Sequence, residues 1–158
     1  GYRNRVDYTI GHRDDLTLSS SKPCIGFSTG AFKDGHHTVT RITPCKITSK
    51  IFTEIAQKAE SFLQDWWKIH PTIFTGYDKR THWGFWRRLS MRATHDQQIM
   101  LIVQTMSEEW LIEALGKNHD GKQTDVERDK GLFHRLQEEF TSVFSQMCAS
   151  LQWQEHDG

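Results

Sequence analysis

The chain has 158 residues and no net formal charge, since 20 Lys and Arg balance 20 Asp and Glu. Hydrophobic residues make up 36% and aromatic residues 11%, which excludes a largely disordered chain and is typical of one domain with its own core. The balance also excludes a protein that is drawn to nucleic acid by its overall charge, so any such binding depends on a local cationic patch.

The first 45 residues predict β-strands. In YRNRVDYTIG, apolar and aromatic side chains recur at every second position from Tyr2 to Ile10, interrupted by Asn4. The segments PCIGFST and HTVTRI predict two further short strands, joined by a turn at Asp34-Gly35. Because the sequence starts GYRNRV, without an initiator Met, we expect it to be a fragment of a longer chain.

The clearest helix is predicted in SKIFTEIAQKAESFLQDWWKIHP. Its apolar residues follow a spacing of three and four, so that one stripe is buried. Ser49 is a suitable N-cap, and Pro71 ends the helix.

Two strands follow in FWRRLSMRAT and QQIMLIVQT, and we expect them to pair antiparallel. Alternation in the first predicts one face with Trp86, Arg88, Ser90 and Arg92, and another with Phe85, Arg87, Leu89 and Met91. The second strand is almost entirely apolar and is predicted to be central.

The C-terminal part predicts more helix and a last strand. A short amphipathic helix begins after Ser107, residues 116–127 are expected to form a mobile loop, and a second long helix precedes the strand SLQWQ. We therefore expect a single α+β domain over residues 1–158. It is a two-layer sandwich in which two long helices cover one face of a mainly antiparallel sheet, in the order β-β-β-α-β-β-α-β.

The sequence lacks the usual catalytic and cofactor motifs. It contains no glycine-rich phosphate or dinucleotide loop, no nucleophile elbow and no zinc-protease signature, so the chain alone is not predicted to be catalytic. No apolar run is long enough to cross a membrane, and no signal peptide is evident. Cys24, Cys45 and Cys148 are widely spaced, which favours reduced, buried thiols in an intracellular protein.

The remaining candidate chemistry is a surface of arginines and aromatic rings. Arg88 and Arg92 are expected on one exposed strand face roughly 6–7 Å apart, where their planar guanidinium groups suit phosphates. A merely solvated strand face remains the alternative. Phe27 could stack on a base or could belong to the core. A Trp-rich apolar docking face for a protein partner, formed by Trp66, Trp67, Trp83 and Trp86, is the alternative function.

These motifs resemble a known family. GYRNRV, then IGFSTGAFKDG, then FWRRLSMRAT and finally SLQWQ are similar, in order and spacing, to the tRNA and rRNA uracil-5-methyltransferases. The closest likeness is to the eukaryotic branch that acts on the T-loop uridine of tRNA. The matching positions are residues 1–5, 25–27 and 86–92.

The resemblance implies that this chain is the central, RNA-recognising domain of such an enzyme. In that family the S-adenosylmethionine loop, the nucleophilic Cys and the catalytic Glu lie in a later methyltransferase domain, and none of their motifs occurs here. The implied partners are the tRNA T-loop and the missing methyltransferase domain. S-adenosylmethionine is the cofactor of the parent enzyme only, and the fragment should be inactive alone.

The resemblance also implies roles for single residues. Phe27 matches an aromatic residue that stacks on a base, while Arg3, Asn4 and Arg5 bind RNA or brace the missing domain. Trp86, Arg87, Leu89 and Arg92 match the third motif, whereas Arg88 stands where relatives often carry an acidic residue. Cys45 falls near an iron–sulfur ligand of some bacterial relatives, but the other ligands would lie upstream, so no cluster is expected. The candidate RNA-binding residues are Arg3, Asn4, Arg5, Phe27, Arg87, Arg88 and Arg92.

Overall fold

The architecture is that of a computed structural model, which describes residues 5–12, 22–28, 39, 50–96, 98–118 and 126–156. The elements in chain order are β1 (Arg5–Gly11), β2 (Cys24–Gly26), α1 (Lys50–Ile69), β3 (Trp86–Ala93), β4 (Ile99–Met106), α2 (Glu108–Asn118), α3 (Val126–Phe144) and β5 (Ser150–His156). They form a mainly antiparallel sheet with long helices packed on one face, which confirms the predicted α+β sandwich.

The strands form one sheet in the order β2-β1-β3-β4-β5. The pairs β1/β2, β1/β3 and β3/β4 are antiparallel, and β5 adds to β4 in parallel. A parallel neighbour needs a long crossover connection, and the segment that contains α2 and α3 supplies it. The predicted hairpin of β3 and β4 is confirmed, and β4 is an inner strand.

Alternation along the strands decides which side chains enter the core. Val6, Tyr8 and Ile10 of β1 are buried beneath the helices. The buried stripe of α1 meets aromatic residues of α3, where the ring of Phe62 lies 5.3 Å from that of Phe140. Trp66 also joins these two helices, because its Nε1 donates a hydrogen bond of 3.1 Å to Glu139. The two long helices therefore form one layer.

Helix α1 also closes one edge of the sheet. The backbone N–H of Ile25, in the edge strand β2, donates to Glu60 Oε2 at 3.0 Å. The side-chain amide of Gln64 donates to the carbonyl of Pro23 at 3.1 Å. Edge strands carry unpaired backbone groups that invite further pairing, and these two helix side chains satisfy one such group in β2 and one just before it.

The segment between α1 and β3 is held by close backbone packing. A Cβ on Gly76 would lie 2.7 Å from the Cα of Gly11, so only glycine fits there. Gly84 adopts a φ of 125°, which L side chains rarely take. Trp83 donates from Nε1 to the carbonyl of Thr72 at 2.6 Å, and its ring lies 5.0 Å from that of Trp110.

Several expectations fall wholly or partly outside the described residues. Of the third predicted strand only Val39 is described, in an antiparallel bridge with Ser28, and the turn at Asp34-Gly35 and the N-cap Ser49 lie outside. Helix α2 runs to Asn118 and α3 begins at Val126, so both ends of the predicted loop 116–127 are helical. Residues 119–125 lie outside the description.

The start of α2 follows the sequence prediction. Ser107 Oγ accepts a hydrogen bond of 3.2 Å from the backbone N–H of Trp110, which satisfies one of the free N–H groups at the helix start. None of the described helices combines the length and apolarity of a membrane span.

Two of the three cysteines, Cys24 and Cys148, are described, and both are buried, as predicted. Burial raises the pKa of Cys148 to about 11, which keeps this thiol in its unreactive protonated form at neutral pH. Cys45 lies outside the described residues.

Candidate functional site

The sheet face that points away from the helices carries the candidate arginines, and we call it the open face. It consists of three cross-strand rows of exposed or half-buried side chains on β1, β3, β4 and β5. In strand order these rows are Arg5, Arg92, Met100 and Ser150; Asp7, Ser90, Ile102 and Gln152; and Thr9, Arg88, Gln104 and Gln154.

Part of the open face forms a shallow depression with a volume of about 170 Å³. It is lined by all three arginines of the open face, Arg5, Arg88 and Arg92, and by Asp7 and Ser90. Gln104 and Gln154 close the side formed by β4 and β5. The sheet thus brings together residues that are up to about 150 positions apart in sequence, because neighbouring strands lie only ~4.8 Å apart.

Asp7 organises one side of the depression. Ser90 Oγ donates a hydrogen bond of 2.6 Å to Asp7 Oδ1, and Arg5 Nε lies 3.2 Å from Asp7 Oδ2. The hydrogen bond from Ser90 and the positive charges of Arg5 and Arg88 lower the pKa of Asp7 below its ordinary value of 3.8. Asp7 is therefore ionised at neutral pH and offsets one of the three positive charges.

The other two arginines have no such ion pair. In the part of the chain that the structure describes, Arg88 and Arg92 have neither a salt bridge nor a side-chain hydrogen bond. Arg92 also lies directly opposite Arg5 across the β1/β3 pair. Like charges in this position destabilise a sheet, so the arrangement suits a site that receives a negatively charged group.

The predicted spacing of roughly 6–7 Å between Arg88 and Arg92 was wrong. That figure fits positions two apart on a strand, whereas these arginines are four residues apart on β3 with Ser90 between them. At ~3.3 Å per residue their backbones are about 13 Å apart. The shortest spacing between arginines on the open face is instead the cross-strand pair Arg5 and Arg92.

Phe27 is exposed but does not join the arginines. Its side chain is 43% exposed, and its ring centroid lies 5.1 Å from that of Tyr8, which is buried on the helix side of the sheet. Phe27 follows Gly26, which pairs with Thr9 of the open face, so the alternation also directs Phe27 to the helix side. A single surface that holds both this ring and Arg88 and Arg92 is therefore not formed.

Arg87 is engaged within the fold. Its guanidinium carbon lies 4.1 Å from the centroid of the Tyr77 ring, a cation–π contact. Its Nη1 lies 3.6 Å from the sulfur of Met106. The register between β3 and β4 shifts between Trp86 and Arg88, which makes Arg87 the additional residue of an irregular pairing.

The same irregularity explains a second correction. Trp86 was expected on the face of Arg88, but it is fully buried, with its ring 5.0 Å from that of Phe85 and 5.9 Å from that of Trp153. Because one residue is inserted between them, Trp86 and Arg88 point to opposite sides. Trp66 is also buried, so the proposed Trp-rich docking face loses two of its four residues to the core.

Sequence reasoning missed several residues of the depression. Asp7, Ser90, Gln104 and Gln154 were not among the candidates, while Arg3 and Asn4 lie outside the described residues. The period-two pattern of IMLIVQT and LQWQ indicates that the glutamines leave the core, but it does not indicate which arginine they meet. Within the described ranges no group of three or more His, Cys, Asp or Glu side chains could hold a metal ion.

Comparison with known proteins gives partial likenesses, and no family model matches the chain. Over 92 residues the chain is 33% identical to the zinc finger CCCH domain-containing protein 24 of Arabidopsis thaliana. The aligned segment covers 58% of this chain and 10% of that protein. The chain thus spans about a tenth of the length of this relative.

Among solved structures, the fold is similar to part of the tRNA (uracil-54, C5)-methyltransferase of Pyrococcus abyssi, crystallised with S-adenosyl-L-homocysteine. The TM-score is 0.40 and the identity 19%, over 66% of this chain and 22% of the archaeal one.

Proposed function

We propose that this chain is the RNA-recognition part of a tRNA uracil-5-methyltransferase and that its open face binds the T-loop region of tRNA. Methylation at C5 of a uridine would be carried out by a separate catalytic domain, with S-adenosylmethionine as the cofactor of that domain. The observation that carries the proposal is the position of Arg5, Arg88 and Arg92 on one sheet face. Arg5 and Arg92 match motifs that resemble this family, whereas Arg88 departs from the family pattern.

Local charge supports an anionic ligand. The chain as a whole has no net charge. Among the described residues that line the depression, however, Arg5, Arg88 and Arg92 are accompanied by one carboxylate, that of Asp7, so these four side chains carry a net charge of +2. A phosphate-bearing partner is attracted to such a patch even when the whole protein is neutral.

The chemistry of arginine supports phosphates in particular. A guanidinium group donates two parallel hydrogen bonds to two oxygens of one phosphate, and it stays charged at every physiological pH. Because Arg5 and Arg92 are cross-strand neighbours, one phosphate can lie between them, while Arg88 is available to a second phosphate.

Phe27 has a separate place in this proposal. Its exposed ring lies near the β2 edge on the helix side, next to Tyr8. A base that stacks on it would belong to a nucleotide that passes around the sheet edge. We therefore assign Phe27 and the arginines to different parts of the bound RNA.

The test is a titration of a T-arm hairpin over a range of salt concentrations, followed by fluorescence anisotropy. We expect Arg92→Ala to weaken binding and to reduce the slope of log affinity against log salt by about 0.7–0.9. Arg135→Ala is the matched control, because Arg135 is exposed on α3 and its replacement changes the net charge equally. An equal loss in both variants, or no binding at low salt, would contradict the proposal.

The alternative of a protein-interaction module is less well supported. Its docking face required four tryptophans, but Trp66 and Trp86 are buried and Trp83 packs against Trp110. We further expect this chain not to bind S-adenosylmethionine, because its sequence lacks the cofactor loop of the family. A bound ligand would raise the melting temperature, so S-adenosylmethionine should leave that temperature unchanged.

A further inference from the structure

Three glutamines on the β4 and β5 side of the open face carry side-chain amides without internal partners. Gln104 lies on β4, and Gln152 and Gln154 lie on β5. Throughout the described part of the chain these three amides form no hydrogen bond. Each amide therefore offers two N–H donors and one carbonyl acceptor to whatever lies on this face.

The register places the glutamines beside the arginine cluster. Arg88 pairs with Gln104, and Gln104 pairs with Gln154, so the three form one row across β3, β4 and β5. With ~4.8 Å between strands, the backbones of Arg88 and Gln154 are about 10 Å apart. Gln104 and Gln154 also line the same depression as the arginines. A ligand held by Arg88 is thus within reach of both amides.

Apolar surface lies next to these amides. Met100, which is 37% exposed, and the half-buried Ile102 occupy the same face of β4 as Gln104. Each has a polar or charged neighbour on both sides: Arg92 and Ser150 flank Met100, whereas Ser90 and Gln152 flank Ile102. Exposed apolar side chains in the middle of a polar face suit a flat, partly apolar ring.

The chemistry distinguishes a nucleobase from a phosphate. A phosphodiester has only acceptors, so it can pair with the arginines and with the amide N–H groups but not with the amide carbonyls. A base edge presents both donors and acceptors, and an amide side chain can pair with both. Amides beside guanidinium groups therefore fit a nucleotide whose phosphate and base are bound side by side.

We propose that the half of the open face formed by Met100, Ile102, Gln104, Gln152 and Gln154 is a base-reading site for single-stranded RNA. Its arginine half, formed by Arg5, Arg88 and Arg92, holds the phosphates of the same strand. This inference rests on the proposed RNA-binding function and adds the specificity-determining residues. The bound nucleotides are unpaired, because the edges of paired bases are engaged and side chains do not read the deep groove of an RNA duplex.

The experiment compares four labelled single strands of equal length: oligouridine, oligocytidine, oligoadenosine and an abasic phosphodiester. The wild-type chain is expected to bind at least one base-bearing strand more tightly than the abasic strand. Replacing Gln104 and Gln154 together by Ala should reduce the ratio of base-bearing to abasic affinity about tenfold. The salt dependence should stay that of the wild type, since it depends on the arginines, and any loss of abasic affinity should be smaller than the loss for the base-bearing strands.

Gln146→Ala is the control, because Gln146 is exposed just after α3 and outside the open face. All of these residues lie at the surface, so unchanged melting curves would show that each variant is folded. Arg92→Ala should lower the affinity for all four strands, whether or not they carry bases.

The outcomes separate this inference from the function on which it rests. Arg92-dependent binding that is equal for abasic and base-bearing strands would overturn the base-reading site and leave the RNA-binding proposal standing. No binding of any strand at low salt would overturn both. If the glutamine variant changed only self-association in sedimentation, the face would be a contact between copies of the chain and the inference would be wrong.

Discussion

Arg5 and Arg92 lie directly opposite each other on neighbouring antiparallel strands of the open face. Asp7 lies 3.2 Å from the guanidinium of Arg5, whereas Arg92 has no ion pair within the described residues. Two facing positive charges reduce the stability of a strand pair, and a bound anion removes that cost. This relationship connects the stability of the sheet with its proposed ligand.

Replacing Arg92 with Thr should therefore not destabilise the free protein. We expect the free energy of unfolding at low salt to rise by up to about 1 kcal/mol, because the repulsion from Arg5 is lost and Thr suits a strand. The gain should fade at high salt, which screens exposed charges. Urea unfolding at both salt concentrations measures it.

Arg88→Thr is the matched control for this effect. Arg88 faces the neutral residues Thr9 and Gln104 and lies near the carboxylate of Asp7, so its removal relieves no direct repulsion. A loss of stability at low salt on replacing Arg92, or an equal gain on replacing Arg88, would show that the facing charges do not matter.

Asp7→Asn should change how stability depends on pH. The lowered pKa of Asp7 means that its carboxylate contributes stability above about 3.8, and this is lost as pH falls through the lower folded-state pKa. The variant should be less stable than the wild type at neutral pH, and the difference should shrink as the pH falls below 3.8. Denaturant unfolding at a series of pH values measures this.

The same substitution should strengthen RNA binding, because it removes a negative charge from the depression. Asp96→Asn, in the exposed turn between β3 and β4, is the control for both measurements. A stability difference that is independent of pH would argue against the ion pair and hydrogen bond of Asp7.

Glu60→Ala should destabilise the fold by uncovering the β2 edge. The backbone N–H of the fully buried Ile25 would lose its acceptor, and an unpaired buried donor costs about 1–3 kcal/mol. Glu54→Ala is the control on the same helix, since Glu54 is exposed. Equal melting temperatures for the two variants would indicate that water replaces the carboxylate of Glu60.

Two glycine substitutions should have opposite effects. Gly76→Ala would place a Cβ 2.8 Å from the carbonyl oxygen of Ile10, so backbone must move and we expect a loss of about 1–3 kcal/mol. Gly131→Ala, in α3, meets nothing within 4 Å and should stabilise the helix by about 0.5–1 kcal/mol. Thermal unfolding distinguishes them, and similar effects would contradict the close approach of residues 10 and 76.

Much of the fold was predictable because its signals are local. The three-and-four spacing within SKIFTEIAQKAESFLQDWWKIHP predicts α1, observed at Lys50–Ile69. The alternation of Leu89 and Met91 correctly places both in the core and turns Arg88 and Arg92 outward. Periodicity reveals which side of an element is buried, since that depends only on neighbouring positions in sequence.

The candidate site was only partly predictable. Arg5, Arg88 and Arg92 were selected from the sequence and do share one face, but their neighbours Asp7, Ser90, Gln104 and Gln154 were not selected. Trp86 was assigned to the wrong face, because a shift in strand register reverses the alternation at that point. Such a shift depends on the partner strand and leaves no mark within the segment itself.

The sequence by itself determined the helices and most of the described strands of this protein, the burial of most of their apolar residues, and an arginine-bearing strand face. The tertiary structure decided that Arg5 faces Arg92, that Gln154 lies beside Gln104 through a parallel pairing of β4 and β5, and that Phe27 turns toward the helices. The physical reason is that side-chain periodicity is set by the local backbone, whereas strand order and register are set by how distant segments pack together.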